Sequence, residues 1–472
     1  MTPADPGQTL DAAAAAHVQE ATMPIATTRH RLGRRPVPIL ALTAAAALVP
    51  ASCVGGTQPE DTQSVTLGEE ATLTIVSQFG DTPALQPVLE ALSADWEREH
   101  PEVQVDIQYL SYDDLQKTLP TALASGSAPD VFDYDASEST LGVLATNGLV
   151  RPLEDYADRY GWFDRLPESI VERATFDDTF YAVPRSSEAI GLFYNEALFT
   201  ETGAPVPTDY EAFLTAARTL AQAGVTPIAF GNKDQWPSSH LVGAAVHAAV
   251  PADEIVAHES LDSDGTYSAR NVQEAFDIAR DWVARGFVTP DFNGVSFDDS
   301  VKAFMNGEAG MFIEGTGVTP DLLATLGPDS PIRFVPFPMI DTSLEQQAAG
   351  GAGGSWAISS SSTVADIAAD WIDFVHFSAE AERRWLEAGV LPTTDYDGTD
   401  ADVPALLRQN LEVVRAANDG GGIGRWTAFS SSPLVTDAWN GAAQAFLTGE
   451  IEAATFTRSL DDALDEARDA AR

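Results

Sequence analysis

Two apolar periods alternate along the chain from about residue 70 onward. Ala71–Ser77 (ATLTIVS) and the alternating Val103, Val105, Ile107 and Tyr109 have the two-residue period of half-buried strands. Between them, Leu85, Leu89, Leu92 and Trp96 recur at helical spacing, predicting an amphipathic helix over 83–100. Tyr112–Ser125 reads as helix and Val131–Tyr134 as a short strand after a Gly-Ser-Ala-Pro turn. That order, β-α-β-α-β, predicts a parallel sheet with right-handed crossovers.

A second block of the same kind begins near Arg185. Thr208 and Glu211 are spaced as a capping box for a helix through Ala223, and Pro227–Phe230 reads as strand. A helix follows over 271–285 (Val272, Phe276, Ala279, Val283), and Val301–Met305 leads to the apolar strand Met311–Ile313. The loop 346–355 (QQAAGGAGGS) is glycine-rich but lacks the G-x-x-x-x-G-K-[ST] spacing of a phosphate loop. Residues 363–386, carrying Trp371, Phe374, Phe377 and Trp385, are predicted as one helix. Asp437–Leu447 and Ser459–Ala471 close the chain as helices. Trp96, Trp282, Trp371 and Trp385 lie at apolar helical positions and are assigned to the core. The fold class is α/β.

The amino end has a different grammar. Arg29, Arg31, Arg34 and Arg35 precede an uncharged run of 15 residues, Val37 to Ala51, then Ser52 and the single cysteine, Cys53. A basic patch, a short apolar run and small residues are the layout of an export signal, and 15 residues fall short of the ~20 a spanning helix needs. Met23 is read as the start, with residues 1–22 an over-extended gene call. Pro50-Ala51-Ser52-Cys53 resembles a bacterial lipobox, which implies cleavage before Cys53, a diacylglyceryl anchor on its thiol and an extracytoplasmic location on the membrane surface. Residues 1–52 are then signal and 53–70 a polar tether.

Charge narrows the function. The 472 residues carry a formal net charge of −45, and lysine occurs only at 117, 233 and 302. A chain this acidic repels phosphates, so general nucleic-acid binding is excluded. One cysteine excludes an intramolecular disulfide framework and a multi-cysteine metal site.

Five segments, in order, resemble the carbohydrate-type extracellular solute-binding proteins of ABC importers. They are Ala124-Ser-Gly-Ser-Ala-Pro-Asp-Val131, Tyr181-Ala-Val-Pro184 with Ile190-Gly-Leu-Phe-Tyr-Asn195, Phe304-Met-Asn-Gly-Glu-Ala-Gly-Met-Phe-Ile-Glu-Gly315, Gly353-Gly-Ser-Trp-Ala-Ile358 and Gly389-Val-Leu-Pro392. The resemblance, nearest to the maltose-binding branch, implies two α/β lobes joined by crossing strands and closing on ligand by hinge bending. It implies residues 70–183 with 352–392 in lobe one, 184–351 with 393–472 in lobe two, and 181–188 as the first hinge. It further implies a monomer without cofactor or metal that delivers a sugar to the permease subunits of an importer.

A sugar shows apolar C–H faces to aromatic rings and hydroxyls to carboxylates, amides and Arg. Strand ends offer Gln78, Phe79, Tyr134 and Asp135, and the resemblance implies further contacts from Arg185, Glu188, Trp236, Glu314, Ser355, Trp356 and Trp426. The family's stacking tryptophan after the Phe-Ile-Glu-Gly motif is replaced by Thr316-Gly317. Three alternatives stay open. One is a receptor of the same fold for a polyamine, a glycerol phosphate or a peptide. Another is a secreted glycoside-acting enzyme, although 68 acids after residue 52 make chance carboxylate pairs common. His240 and His247, seven apart, are a weak metal pair.

Overall fold

A computed structural model describes residues 65–261, 263–394, 396, 398, 403–419, 423–429 and 431–471. The export signal, most of the tether and Cys53 lie outside the described residues.

The first sheet runs Val103–Tyr109, Ala71–Ser77, Val131–Tyr134, Ser355–Ile358, Ala182–Pro184. Its first three strands are parallel, as the β-α-β-α-β order requires, and Ser355–Ile358 lies antiparallel to both of its neighbours. Helices Gln86–Glu99 and Tyr112–Ser125 supply the crossovers and bury Leu89, Leu92, Trp96, Leu115, Leu119 and Leu123 against this sheet. The second sheet runs Ile332–Pro336, Ser187–Asn195, Ala309–Gly315, Thr226–Ala229. Helices Tyr210–Gln222, Pro237–Ala249 and Arg270–Ala284 share its main core. Each lobe therefore has its own apolar centre.

The chain passes between lobes at three places that touch one another. Ala182–Pro184 belongs to the first sheet and Ser187–Asn195 to the second, so residues 184–187 make one passage. Gly350–Ala352 pairs antiparallel with Ala189 to Ser187, and Ser355 begins the strand of the other lobe, so 352–355 make a second. The third passage is 389–393, where Ser187 N–H donates to the Leu391 carbonyl (3.1 Å) and the Thr393 hydroxyl to the Pro184 carbonyl (2.7 Å). Adjacent passages of this kind form a hinge.

Two predicted elements need correction, and one helix was not predicted. The helix Tyr210–Gln222 is capped by Asp209, whose carboxylate accepts the Ala212 N–H (2.8 Å), and not by Thr208. The single helix predicted over 363–386 is two: Ala365–Ile372 widens into a π turn at Asp373–Phe377, and Ser378 caps a new helix, Ala379–Glu387. Helix Pro237–Ala249 has no counterpart in the periodicity because nearly every side chain on it is buried, which leaves no polar stripe to reveal a period.

Candidate functional site

The carboxyl ends of the first lobe's parallel strands face the second lobe across a cavity of about 670 Å³. Gln78 and Asp81 follow Ala71–Ser77, Tyr112 follows Val103–Tyr109, and Asp135 follows Val131–Tyr134. The hinge contributes Arg185, Glu188 and Gly353. The second lobe contributes Trp236, His240, Phe297, Glu314 and Trp426.

The lobe-one side is ionic. Asp133, fully buried, accepts from Arg185 Nε with both oxygens (3.0 and 3.2 Å) and from Gln78 Nε2 (3.2 Å). Gln78 Nε2 also reaches the Gly353 carbonyl (3.3 Å), and the Arg185 guanidinium lies over the Phe79 ring at 4.6 Å. Burial, then the Asp133 charge, raises the Asp135 carboxyl to about 6; the Tyr112 hydroxyl opposes the rise, Glu188 adds to it and Arg185 lowers it. Glu188 is raised as well, chiefly by burial, while Arg185, Ser186 and His240 oppose it and Glu314 adds to it.

The glycine-rich segments exist to admit these side chains. A Cβ at Gly353 would lie 1.6 Å from Glu188 Oε1, and one at Gly317 would lie 2.6 Å from Oε2. Gly317 thus leaves room for the Glu188 carboxylate. A Cβ at Gly351 would lie 2.6 Å from Trp426 Nε1.

The lobe-two side is aromatic. Trp426 stacks on His240 (centroids 5.0 Å, planes 20° apart), His240 meets Trp236 at 5.1 Å, and Trp236 meets Phe297 at 4.6 Å. His240 Nδ1 bonds Glu314 Oε1, and Glu314 turns its Oε1 also to the Gly315 N–H (2.8 Å). Trp236 and His240 are four apart, the spacing of neighbours on one helix face.

Seven of the sequence candidates line the cavity: Gln78, Asp135, Arg185, Glu188, Trp236, Glu314 and Trp426. Four do not. Phe79 (1% exposed), Tyr134 (3%), Ser355 (0%) and Trp356 (0%) are core. Phe79 packs on Trp356 and Trp385 beneath Arg185; the Tyr134 hydroxyl donates to Gln116; Trp356 packs on Trp371. Ser355 and Trp356 are paired in register with Tyr134 and Asp133, inside a sheet that helices cover. Ser355 Oγ is buried with no hydrogen-bond partner. His247 is buried and bonds the Gly243 carbonyl, while His240 bonds Glu314; among the described residues no cluster of three or more His, Cys, Asp or Glu is placed to hold a metal. The sequence reading missed Tyr112, His240 as a ring plate, Phe297 and the acids Asp81, Asp298 and Asp321. Among the described residues no helix is long and apolar enough to cross a membrane.

The family model of the bacterial extracellular solute-binding proteins matches residues 79–381. An uncharacterized ABC transporter extracellular-binding protein of Pyrococcus horikoshii is 22% identical over 57% of this chain and 60% of its own length. A multiple sugar-binding protein of Streptococcus mutans is 22% identical over 52% of this chain and 58% of its own. The chain thus spans about three fifths of the length of these curated relatives. Among solved structures, a chitin oligosaccharide binding protein superposes with a TM-score of 0.74 at 18% identity, over 85% of this chain and 100% of that one. With the family model matching well over half of its residues, and a two-lobed fold around an interlobe cavity, the chain belongs to the bacterial extracellular solute-binding protein family.

Proposed function

We propose that this chain is a sugar receptor of an ABC importer, tethered to the membrane by a diacylglyceryl group on Cys53 and acting as a monomer without cofactor. The observation that carries the reading is the cleft's two-sided chemistry. A continuous ring surface, Trp426–His240–Trp236–Phe297, faces carboxylates and an amide at strand ends. Rings cover apolar sugar faces, and Asp135, Glu188 and Gln78 take the hydroxyls. Arg185, already bound to Asp133, orients this floor and donates to a ring or hydroxyl oxygen. Hinge closure gives the permease a shape to distinguish from the open form, since a ligand shifts a two-state equilibrium only through differential affinity. The chain does no chemistry on its cargo.

One feature favours a second reading. Eight carboxylates line the cavity against Arg185 and Lys302, which suits a polyamine as well as a sugar. A thermal-shift panel on the chain beginning at Val54 separates the two. Mono- and oligosaccharides, including chitin oligosaccharides, are compared with polyamines and glycerol phosphates. A specific ligand at about 100 times its Kd stabilises by about 2.7 kcal/mol. A shift with one saccharide series supports the sugar reading; a shift with polyamines alone replaces it. Metabolic labelling with a fatty acid, lost in Cys53→Ala, tests the anchor.

A further inference from the structure

Trp426 lies in a segment, residues 423–429, that is gripped at both ends. Arg173 closes the lobe-one helix Glu168–Arg173, and its Nη2 donates to the carbonyls of Ile423 (2.5 Å) and Gly424 (3.0 Å). At the other end the Ala428 N–H donates to buried Glu259 Oε1 (2.8 Å), and the Thr436 hydroxyl donates to the Ala428 carbonyl (3.0 Å). Ala428 holds a φ of 66°, a left-handed conformation that a non-glycine residue adopts at some cost. Two further lobe-one groups reach the segment: Glu138 pairs with Arg425 (3.2 Å) and the Ser139 hydroxyl donates to the Phe429 carbonyl (2.6 Å).

Arg173 also touches the hinge. A Cβ at Gly351 would lie 3.3 Å from Arg173 Nη1 and 2.6 Å from Trp426 Nε1. Gly351 stands opposite Glu188 in the strand pair that carries the chain between lobes. Arg173, Gly351 and Trp426 are therefore contiguous, with no side chain on Gly351 to separate them. Burial lowers the Arg173 guanidinium to about 10, with Arg425 acting in the same direction and Glu138 and Glu172 against it, so it stays cationic at neutral pH. A planar fork can hold two carbonyls at once, which a lysine ammonium does less well.

We infer that Arg173, which is outside the cavity lining, is the positioning residue that fixes Trp426 against the hinge strand Gly350–Ala352. The inference rests on the reading of Trp426 as a plate of the ligand site. Hinge rotation moves Arg173 with lobe one, and its grip on 423–424 carries that motion to the indole. Glu259 and Thr436 keep the far end with lobe two, so the segment between turns and does not translate freely.

The test needs no ligand. The chain has nine tryptophans, and fluorine NMR of the fluorotryptophan-labelled protein resolves them as separate lines. Trp426→Phe identifies the Trp426 line by its loss. Arg173→Met is expected to displace or broaden that line while the core lines of Trp96, Trp162, Trp282 and Trp371 stay within a linewidth. Arg173→Lys is expected to displace it less. A Trp426 line unmoved in Arg173→Met overturns the inference. Should Arg173→Met disturb every line, Arg173→Lys decides: a shift confined to Trp426 supports it, and none overturns it. Because no saccharide is present, a moved Trp426 line beside an unresponsive sugar panel would keep the positioning role and remove the sugar reading.

Discussion

The two walls of the cleft are built on opposite principles. The lobe-one wall is made of polar groups at strand ends, and they are bound to one another before any ligand arrives: Asp133 alone ties Arg185 and Gln78, and Gln78 ties the hinge carbonyl of Gly353. The lobe-two wall is made of rings in edge and face contact, with the His240–Glu314 hydrogen bond beside them. A network whose members satisfy one another is costly to break singly, because each loss leaves a buried partner unmet. A ring facing an open cavity has contacts still to make. The lobe-one wall should therefore report on stability and the lobe-two wall on affinity.

The largest expected effect tests the first half of that contrast. Asp133→Ala leaves the Arg185 guanidinium buried beside Phe79 with its hydrogen-bonded counter-ion gone and only the more distant Asp135 and Glu188 to oppose its charge. Losing one member of a buried pair costs about 3–5 kcal/mol. Urea unfolding should show a lowered midpoint with the slope unchanged, and Asp133→Ala with Arg185→Met should recover much of the loss. A fall below ~1 kcal/mol in the single variant would mean the network is solvated and the contrast wrong.

Next in size is Gly353→Ala. The added methyl collides with Glu188 Oε1 in a part of the hinge where the backbone cannot retreat without moving a lobe. Overpacking of this kind costs about 1–3 kcal/mol. In the Glu188→Ala background the worst collision is gone and only the Ser186 hydroxyl, 2.6 Å from the added methyl, has to turn aside, so the double variant should be more stable than the sum of the singles implies. Additive effects would show that Glu188 and Gly353 do not compete for the same space.

Trp236→Ala addresses the other wall. Saccharide affinity should fall by roughly 1–3 kcal/mol, as for truncating an aromatic anchor. Urea stability should move by less than ~0.5 kcal/mol, since the indole is only half-buried and lines the cavity. Unchanged affinity by calorimetry would remove Trp236 from the ligand wall.

The same contrast governs what the sequence could reveal. The β-α-β-α-β order of the first lobe was legible because half-buried strands and amphipathic helices keep distinct periods, and the strand-end rule then pointed to Gln78 and Asp135. That rule could not tell Asp135 from Tyr134. One residue separates a side chain that lines the cavity from one that is packed under a helix, and strand ends drift by that much. Trp356 misled for a related reason: glycines before it suggested an open loop, whereas Gly353 makes room for Glu188, Gly354 makes room for Gln78, Asp133 and Arg185, and the strand begins at Ser355. On the lobe-two wall, Trp236 and Trp426 could be named from the resemblance. His240 lies on a helix with buried sides all round, where periodicity is silent, and its plate role depends on Trp426 arriving from nearly 190 positions away.

The smallest expected effect separates the walls by pH. Asp135 stands near 6 in the folded, unliganded chain against an ordinary 3.8. Between those values the folded chain keeps a proton that the unfolded chain has released, so the Asp135 contribution to stability is present below about 3.8 and is lost as pH rises through about 6. Affinity has the opposite sign. A hydroxyl donated to Asp135 prefers the carboxylate, so saccharide binding should strengthen as pH rises through the same window, on the order of threefold to tenfold. The groups facing this carboxyl are Asp133, Glu188, Tyr112 and Arg185, none of which is removed in Asp135→Asn. That variant should flatten the pH profile of affinity measured by calorimetry from pH 5 to pH 7. Trp236→Ala should instead lower the profile without changing its slope, because a ring face carries no proton. A slope that survived Asp135→Asn would assign the titration to another raised carboxylate of the cavity, Glu188, Asp81 or Asp321. A slope lost in Trp236→Ala would show that the two walls do not act separately.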